Sequence, residues 1–391
     1  MRKKAANTNV LSKLSLRGSY SDRSNLENGI ASPSARNDID CVCISRINTI
    51  ILGLFIASAI FFVESAFSGT LTVEEQEPAY KYVTKPSEGF FIQKTPSVDK
   101  LVSNITAGVV QGVDTNPLLD STHKADNYTQ EALDVHFTYP VFGSFLGFTN
   151  SKFGFNFTNT NYYNITDVNI SDGIADVNIE QEIFDQGILT AGYVFEYMLF
   201  PNDENGTFVG NQINAGVQQN LSDRAYQKAT YRLMFKNYLS RKARLGNFNF
   251  SSDRRFDVRN IFEHEVGMYI GDQSKFKVTN QFYINDSNDQ YFDFYNYYNY
   301  RFGLSAIQFV TKKLYNITGF YYQRRNYMSR KVSESEAKER DNLYLVTTSF
   351  LYDIKKDISV FVNYSHSENH TNEPLERYVD TLYSAGVYYS F

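Results

Sequence analysis

The sequence contains little cysteine, little proline and no tryptophan, and these shortages exclude several classes of protein. Of 391 residues only two are cysteines, Cys41 and Cys43, and only eight are prolines. A disulfide-stapled scaffold and a cysteine-ligated zinc site are therefore excluded after Cys43. Mean hydropathy is -0.39 although 42% of the residues are hydrophobic, so apolar residues are interleaved with polar ones. This composition excludes a polytopic helical membrane protein, which needs long apolar runs.

The chain has no excess of positive charge. The formal net charge is -5; residues 1–68 carry 8 basic and 5 acidic side chains, which leaves 30 basic and 38 acidic ones, or -8, for the rest of the chain. Nucleic acid is therefore not an expected partner, because binding it needs a basic surface. Aromatic residues, by contrast, are abundant: the chain has 32 Phe and 30 Tyr. A disordered chain does not have such a composition.

One uncharged apolar run, residues 49–63, follows Arg46 and precedes the small-x-small sequence at 66–68. A basic flank, an apolar stretch of about 7 to 15 residues and a small-residue cleavage site are the parts of a secretory signal peptide. We predict that residues 1–68 are a leader and signal peptide, cut before Gly69. The alternative is an uncleaved anchor, although the run is shorter than the roughly 20 residues that span a bilayer. The long polar leader leaves the true start codon open.

After residues 69–103, which we interpret as a periplasmic linker, apolar and polar residues alternate with period two to the end of the chain. In residues 230–239, for example, Leu233 alternates with Arg232. Such alternation predicts half-buried β-strands. Divided at its turn signals, the segment 104–391 contains fourteen strands. They lie near 104–113, 129–140, 151–163, 174–184, 187–199, 207–219, 225–239, 254–270, 274–285, 294–310, 312–327, 341–353, 356–367 and 377–391.

The connections between these strands alternate between long and mostly short. The long ones are 114–128, 164–173, 240–253, 286–293, 328–340 and 368–376. An even strand number, with short turns at one end and long loops at the other, is typical of an outer-membrane barrel with both termini in the periplasm. We therefore predict an all-β fold, a single antiparallel up-and-down transmembrane β-barrel in the cell outer membrane, surrounded by lipid bilayer and lipopolysaccharide.

The competing interpretation is a soluble sandwich or propeller, because a water-exposed sheet face gives the same alternation. Three observations favour the membrane. Aromatic residues cluster at strand ends, as in Tyr162-Tyr163 and Tyr297-Tyr298, where interfacial girdles belong. Several strands exceed the usual soluble length. The chain also stops on Phe391, at the end of a strand.

The last residues, RYVDTLYSAGVYYSF, resemble the closing strand of bacterial outer-membrane proteins. This resemblance implies that Tyr383, Val387, Tyr389 and Phe391 form the signal that the barrel assembly machinery recognises, with periplasmic chaperones as further partners. Together with GVDTNP after the first strand and NYSHSEN, interpreted as a hairpin loop, this ending is similar to a broad group of uncharacterised outer-membrane β-barrels of Gram-negative bacteria. Some members carry periplasmic helical-repeat domains and assist export. Where those members carry a helical-repeat domain, this sequence has only residues 69–103, so the resemblance does not by itself imply a role in export.

Candidate catalytic and metal-binding residues are few. The outer-membrane phospholipase pattern His-x-Ser would need a serine two residues after His366, where Glu368 stands, so no hydroxyl lies at that spacing. His366, Glu368 and His370 could bind a metal, but a solvated polar hairpin tip is the simpler interpretation. The many Asn-x-Ser/Thr sequons could indicate a glycosylated secreted protein, but the abundance of Asn, Ser and Thr in this sequence explains their number by chance. We expect no enzymatic activity, no metal and no cofactor.

The polar faces of the strands are predicted to line the lumen. Acidic residues group on strands 174–184 and 254–270, and basic ones on 225–239 and 274–285, so adjacent strands place opposite charges within pairing distance. The set could be a salt-bridge network that rigidifies a water-filled interior, or a transverse field that orients polar or zwitterionic solutes. The predicted lumen-lining residues are Asp134, Asp176, Glu180, Glu182, Arg232, Lys236, Asp257, Arg259, Glu263, Glu265, Lys275, Lys277 and Arg301.

Three functions remain open from the sequence. The leading hypothesis is a passive, weakly selective channel for small polar solutes, since fourteen strands enclose a bore between filled eight-stranded barrels and sixteen-stranded porins. The second is the membrane component of an exopolysaccharide or surface-protein export system, with a periplasmic partner supplied by another chain. The third is a structural or surface-interaction barrel whose long loops, especially 328–340, bind a partner outside.

Overall fold

The computed structural model describes residues 101–119, 123–141, 149–183, 187–203, 205–245, 249–271, 274–289, 295–332 and 335–391. The predicted signal peptide, its cleavage before Gly69, and nearly all of the predicted linker lie outside these residues. No helix in the described part of the chain is long and apolar enough to cross a membrane.

Fourteen antiparallel strands form one closed barrel, in which each strand pairs with its neighbours in sequence and β14 pairs with β1. The predicted fold and strand number are confirmed. Closure satisfies the backbone hydrogen bonds of every strand, which an open sheet edge would not. The strands are β1 (Val102–Asp114), β2 (Asp126–Val141), β3 (Thr149–Tyr162), β4 (Ile170–Ile183), β5 (Gly187–Leu199), β6 (Phe208–Ser222), β7 (Ala225–Arg244), β8 (Phe250–Ile270), β9 (Ser274–Ser287), β10 (Tyr297–Phe309), β11 (Leu314–Lys331), β12 (Lys338–Asp353), β13 (Ile358–Thr371) and β14 (Tyr378–Ser390).

The two ends of the barrel differ in their connections. One end carries 142–148, 184–186, 223–224, 271–273, 310–313 and 354–357, and the other carries 115–125, 163–169, 200–207, 245–249, 288–296, 332–337 and 372–377. The start of β1 and the end of β14 both lie at the first end. By the rule that periplasmic turns are short, this end is periplasmic and the other is extracellular.

Several segments predicted as loops are strands. The connection predicted at 240–253 is reduced to 245–249, and the one predicted at 328–340 is reduced to 332–337. The NYSHSEN segment, predicted as a hairpin loop, lies within β13. These predictions were wrong because the strands continue above the membrane, where both faces are polar. Cross-strand hydrogen bonding continues there without an apolar face to reveal it in the sequence.

One face of each strand contributes to a band of exposed apolar side chains around the barrel. Val109, Ile213 and Val362 are exposed by 55%, 57% and 55%. Such a surface is unfavourable in water, at about 25 cal/mol per Å² of apolar area, and is stabilised by the hydrocarbon of a bilayer. The molecule is an outer-membrane β-barrel, and a soluble sandwich or propeller is excluded.

Adjacent aromatic residues are divided between the two faces of the barrel wall. In the pairs Tyr162-Tyr163 and Tyr297-Tyr298 the second ring is exposed, by 55% and 36%, while the first is 3% exposed in both. Successive side chains on a strand point to opposite faces. Assigning both rings of a pair to an interfacial girdle was therefore wrong for one ring of each pair.

Candidate functional site

The interior of the barrel is the candidate functional site, because its surface is charged where the outer surface is apolar. Along β7, the buried Lys228, Arg232 and Lys236 alternate with the outward-facing Tyr231 and Leu233. The same alternation continues on the neighbouring strands. Every residue predicted to line the lumen lies on a strand, on the face opposite the apolar band. That they line a conducting pore stays a prediction.

The inner surface of β7 to β11 is predominantly cationic, and we call it the basic wall. It carries three acids, which are Asp257, Glu263 and Glu265. Apart from Arg244 and Arg330 at its extracellular end, which we do not include in it, its basic side chains are Lys228, Arg232, Lys236, Arg255, Arg259, Lys275, Lys277, Arg301 and Arg325.

The acids of the basic wall are enclosed by hydrogen-bond donors from adjacent strands. Arg232 Nη2 donates to Glu263 Oε1 at 2.8 Å, and Gln281 Nε2 donates to Glu263 Oε2 at 2.9 Å. Lys277 Nζ lies 3.0 Å from Glu265 Oε2. The Arg232 and Glu263 side chains are 5% and 7% exposed. Desolvation of such a pair is costly, and its geometry and hydrogen bonds offset that cost.

Aromatic rings hold further cations of the basic wall towards its extracellular end. Lys236 Nζ lies 3.6 Å from the centre of the Phe208 ring. The Arg255 guanidinium lies 3.5 Å from the centre of the Tyr295 ring and donates from Nε to Asp257 Oδ1 at 2.8 Å. Cation–π contacts stabilise charges that are withdrawn from water. The basic wall is thus an interlocked layer with few exposed charges.

The inner surface of β1 to β5 has the opposite sign, and we call it the acidic wall. Lys152 Nζ lies 2.7 Å from Glu180 Oε1, and His136 Nε2 lies 3.0 Å from Asp134 Oδ1. The side chains of His136 and Asp134 are 54% and 18% exposed, so this part of the wall is accessible to water, whereas Asp114, Asp126, Glu180 and Glu196 are buried. Apart from Lys152 and His136, its ionisable residues are Asp114, Asp126, Asp134, Asp172, Asp176, Glu180, Glu182 and Glu196.

A glycine makes room for one carboxylate of the acidic wall. Gly154 on β3 lies directly opposite Asp176 on β4. A Cβ atom at Gly154 would stand 2.1 Å from Asp176 Oδ1 and 3.2 Å from His136 Nδ1. Asp176 Oδ2 accepts a hydrogen bond from Asn178 Nδ2 at 2.6 Å. The missing side chain allows the carboxylate to lie against the backbone of β3.

Neutral surfaces separate the two charged walls. On one side lies β6, whose inner face carries amides and glycines, including Gln212 and Asn214. On the other side lies an apolar cluster from β1 and β11 to β14, formed by Val110, Tyr315, Leu351, Phe361 and Tyr388. Strands β2 and β9 are seven strands apart in both directions around the ring of fourteen. The acidic and basic walls therefore face each other across the interior.

Sequence reasoning missed some residues of the interior. Lys228 has the same phase as Arg232, four residues later, so the alternation of β7 could have identified it. The apolar cluster carried no such signal. Phe361 stands between the polar Ser359 and Asn363 on the inner face of β13. Assigning faces by polarity alone placed all large apolar residues outside.

At the extracellular end, buried aspartates fasten the connections to the barrel. Asp126 accepts hydrogen bonds from the N–H groups of Asn164 and Ile165 at 2.8 and 2.6 Å. Burial alone would raise the pKa of Asp126, but these hydrogen bonds outweigh it and hold the pKa below the ordinary value. Asp114, within the GVDTNP motif, accepts from the Asn116 N–H at 2.8 Å, and the same N–H lies 3.1 Å from Asp380 on β14. The motif therefore joins β1 to β14.

His366, Glu368 and His370 lie on the outward face of β13 and not on a loop tip. Glu368 contacts His366 Nε2 at 3.2 Å and His370 Nε2 at 2.7 Å. A hydroxyl does reach His366, because Thr381 Oγ1 on β14 lies 2.8 Å from His366 Nδ1. The N–H group of Thr381, next to that hydroxyl, donates to Thr115 Oγ1 at 2.8 Å. This N–H group is therefore already engaged in a hydrogen bond.

The fold is similar to solved outer-membrane proteins at low sequence identity. OmpT of Vibrio cholerae is 12% identical with a TM-score of 0.45, over 75% of this chain and 98% of its own. An anion-selective porin from Comamonas acidovorans is 9% identical with a TM-score of 0.41, over 75% and 99%. A FadL homologue from Pseudomonas aeruginosa is 8% identical with a TM-score of 0.38, over 75% and 89%. No protein-family model and no curated protein matches the sequence. Similarity at this level concerns the barrel fold alone.

Proposed function

We propose that this barrel is a passive, weakly selective channel for small polar solutes, and that its transverse field orients dipolar and zwitterionic molecules as they pass. The observation that carries the proposal is the separation of charge inside the barrel. Nine basic and three acidic side chains lie on the basic wall, whereas eight acidic side chains, one Lys and one His lie on the acidic wall.

The proposal unites the salt-bridge network and the transverse field that the sequence left as alternatives. Ion pairs such as Arg232–Glu263 neutralise part of the basic wall, and the remaining cations keep its net charge positive. Opposed charges across a bore with low-dielectric walls produce a stronger field than the same charges in bulk water. A zwitterion would lower its energy by turning its carboxylate towards the basic wall and its ammonium towards the acidic wall.

The experiment is a conductance measurement on the purified, refolded protein in planar bilayers. We expect stepwise conductance increments without any added partner. Liposome swelling with zwitterionic, neutral and singly charged solutes of similar size should then be fastest for neutral and zwitterionic ones. Correctly folded, heat-modifiable protein that gives no current would contradict the channel and leave the barrel intact.

We propose no chemical step for this protein, and we propose that its assembly depends on its closing strand. Tyr383, Val387, Tyr389 and Phe391 are exposed on the outward side of β14, by 54%, 49%, 41% and 73%. They are accessible to the barrel assembly machinery while β14 is still unpaired with β1. Phe391→Ser should reduce the heat-modifiable barrel in the outer membrane and leave the secreted amount unchanged. Normal assembly would contradict this role.

A further inference from the structure

Three carboxylates meet above the membrane at the extracellular end of the barrel. Glu339 and Asp341 lie on β12, and Glu376 lies in the single-turn helix Pro374–Glu376 between β13 and β14. One oxygen of each lies within 4.8 Å of the others. On β12 the apolar outward residues begin at Tyr344, so this carboxylate cluster stands on the extracellular side of the apolar band.

The oxygen atoms in this carboxylate cluster are incompletely satisfied. Arg330 engages one oxygen of Glu339, at 2.7 Å from Nε, and one oxygen of Glu376. Glu339 Oε1 and both carboxylate oxygens of Asp341 are buried and make no hydrogen bond. The nearest cationic atom to Asp341 is Arg325 Nη1 at 3.7 Å, and that nitrogen donates to Tyr327 OH at 3.0 Å. Buried carboxylate oxygens without a partner are costly.

The charges around the cluster do not balance. Glu339 and Asp341 are 1% and 3% exposed. With Glu376 these are three acids, and two cations face them, Arg325 and Arg330. The acids therefore outnumber the cations by one. Arg377, on the same connection, directs its Nε to the carbonyl oxygen of Thr371 at 2.8 Å.

We propose that this carboxylate cluster binds one Ca²⁺ ion. Oxygen is the only donor type present, which suits a hard divalent cation and not zinc or copper. Ca²⁺ accepts several carboxylate oxygens in flexible geometry, whereas Mg²⁺ demands near-ideal octahedral geometry and usually keeps several waters. The ion supplies positive charge and the missing partners of Glu339 and Asp341. Glu376, whose side chain is 26% exposed, gives it access from solvent.

Calcium at this position reinforces a junction that hydrogen bonds already make. Glu339 and Asp341 belong to the β11–β12 hairpin, and Glu376 belongs to the connection that follows β13. Asn372 of that connection accepts a hydrogen bond from the Arg340 N–H and donates to the carbonyl oxygen of Lys338. The ion would add carboxylate ligation to these contacts at the rim of the barrel. None of the three carboxylate ligands belongs to the acidic or the basic wall, although Arg325, which faces Asp341, is a basic-wall residue.

The test uses the full mature protein in detergent, with terbium as a luminescent probe excited through tyrosine and calcium as the competitor. Tyr327 contacts both arginines of the cluster and is close enough to sensitise the probe. We expect saturable terbium luminescence, displaced by Ca²⁺ at lower concentration than by Mg²⁺. Asp341→Asn and Glu376→Gln should each weaken binding about tenfold or more, because affinity depends on ligand charge.

Glu336→Gln is the matched control, because Glu336 is exposed on the same hairpin and pairs with Lys331. It should bind terbium like the wild type. Calcium should also slow cleavage at the exposed Lys338 by a lysine-specific protease, severalfold in the wild type and in Glu336→Gln only. Absence of saturable binding, equal binding by Asp341→Asn and Glu336→Gln, or better displacement by Mg²⁺ would overturn the assignment. If Asp341→Asn fails to fold, Glu376→Gln, outside the strands, gives the same decision.

Discussion

The basic and acidic walls of the interior hold their charges in different ways. On the basic wall, Glu263 and Arg232 are 5% and 4% exposed and are locked into contacts between strands. On the acidic wall, Glu180 and Glu196 are buried too, but His136 and Asp134 remain accessible, with side chains 54% and 18% exposed. Buried, paired charges contribute rigidity and are costly to unpair, whereas accessible charges act on passing solutes. The basic wall therefore supports the bore, and the accessible part of the acidic wall faces its contents.

The largest effect is expected where the basic wall loses an acid. Glu263→Gln removes the negative charge that compensates Arg232, and Lys228 and Lys277 also interact electrostatically with this carboxylate. Leaving a buried charge uncompensated costs about 3–5 kcal/mol. We expect the unfolding transition of the refolded barrel, followed by heat-modifiability in urea, to shift markedly to lower denaturant.

Glu182→Gln is the control for this change on the acidic wall. Glu182 is exposed near the periplasmic end of β4. Its replacement should alter the free energy of unfolding by less than about 0.5 kcal/mol. Equal effects of the two substitutions would show that burial and the pairing with Arg232 do not make Glu263 costly to neutralise, and the prediction would fail.

A second prediction tests which face of β7 belongs to the basic wall. Leu233 is directed outward between Arg232 and Met234, which are 4% and 2% exposed. Leu233→Arg places a cation on the lipid face, at a cost of roughly 2–4 kcal/mol near the bilayer midplane. The folded fraction in the outer membrane should fall. Asn237→Arg, on the same face of β7 but nearer its extracellular end, is the control and should assemble with a much smaller loss, because the cost falls to about 0–1 kcal/mol near the interface. Normal assembly of Leu233→Arg would mean that the faces are assigned wrongly.

A third prediction concerns the packing of the acidic wall. Gly154→Ala would bring a methyl group to 2.1 Å from Asp176 Oδ1, so the carboxylate must move away from β3. Overpacking of this kind costs about 1–3 kcal/mol. Gly173→Ala on β4 is the matched control, since the nearest atom to its added Cβ is 3.9 Å away. Similar unfolding midpoints for the two variants would contradict the close approach of Asp176 to Gly154.

Much of this arrangement could be predicted from the sequence. Period-two alternation identified the fourteen strands and the opposite phases of Arg232 and Leu233. It worked because membrane and lumen impose different polarity on successive residues. Where that contrast is lost, the prediction was wrong, as in the strand ends above the membrane and at His366 on β13.

Contacts between distant parts of the sequence could not be predicted in the same way. Glu376 lies 46 residues from Arg330, and the register of β11, β12 and β13 brings the β13–β14 connection beside the β11–β12 hairpin. The inward apolar cluster around Leu351 and Phe361 was missed for a related reason. Its residues are apolar on a face where polarity was taken as the sign of the lumen.

The smallest effect is expected on ion selectivity, where the accessible acidic wall should matter more than the interlocked basic wall. The double substitution Asp134→Asn with Asp176→Asn removes two negative charges from the acidic wall. Since lumen substitutions tune selectivity, the cation-to-anion permeability ratio from reversal potentials in a salt gradient should fall about twofold. Lys277→Gln removes one cation whose side chain is 12% exposed and paired with Glu265, so the opposite shift should be less than half as large. Equal and opposite shifts per charge removed would mean that ions approach both walls alike. No shift in either variant, with current still flowing, would mean that the current does not pass between these walls.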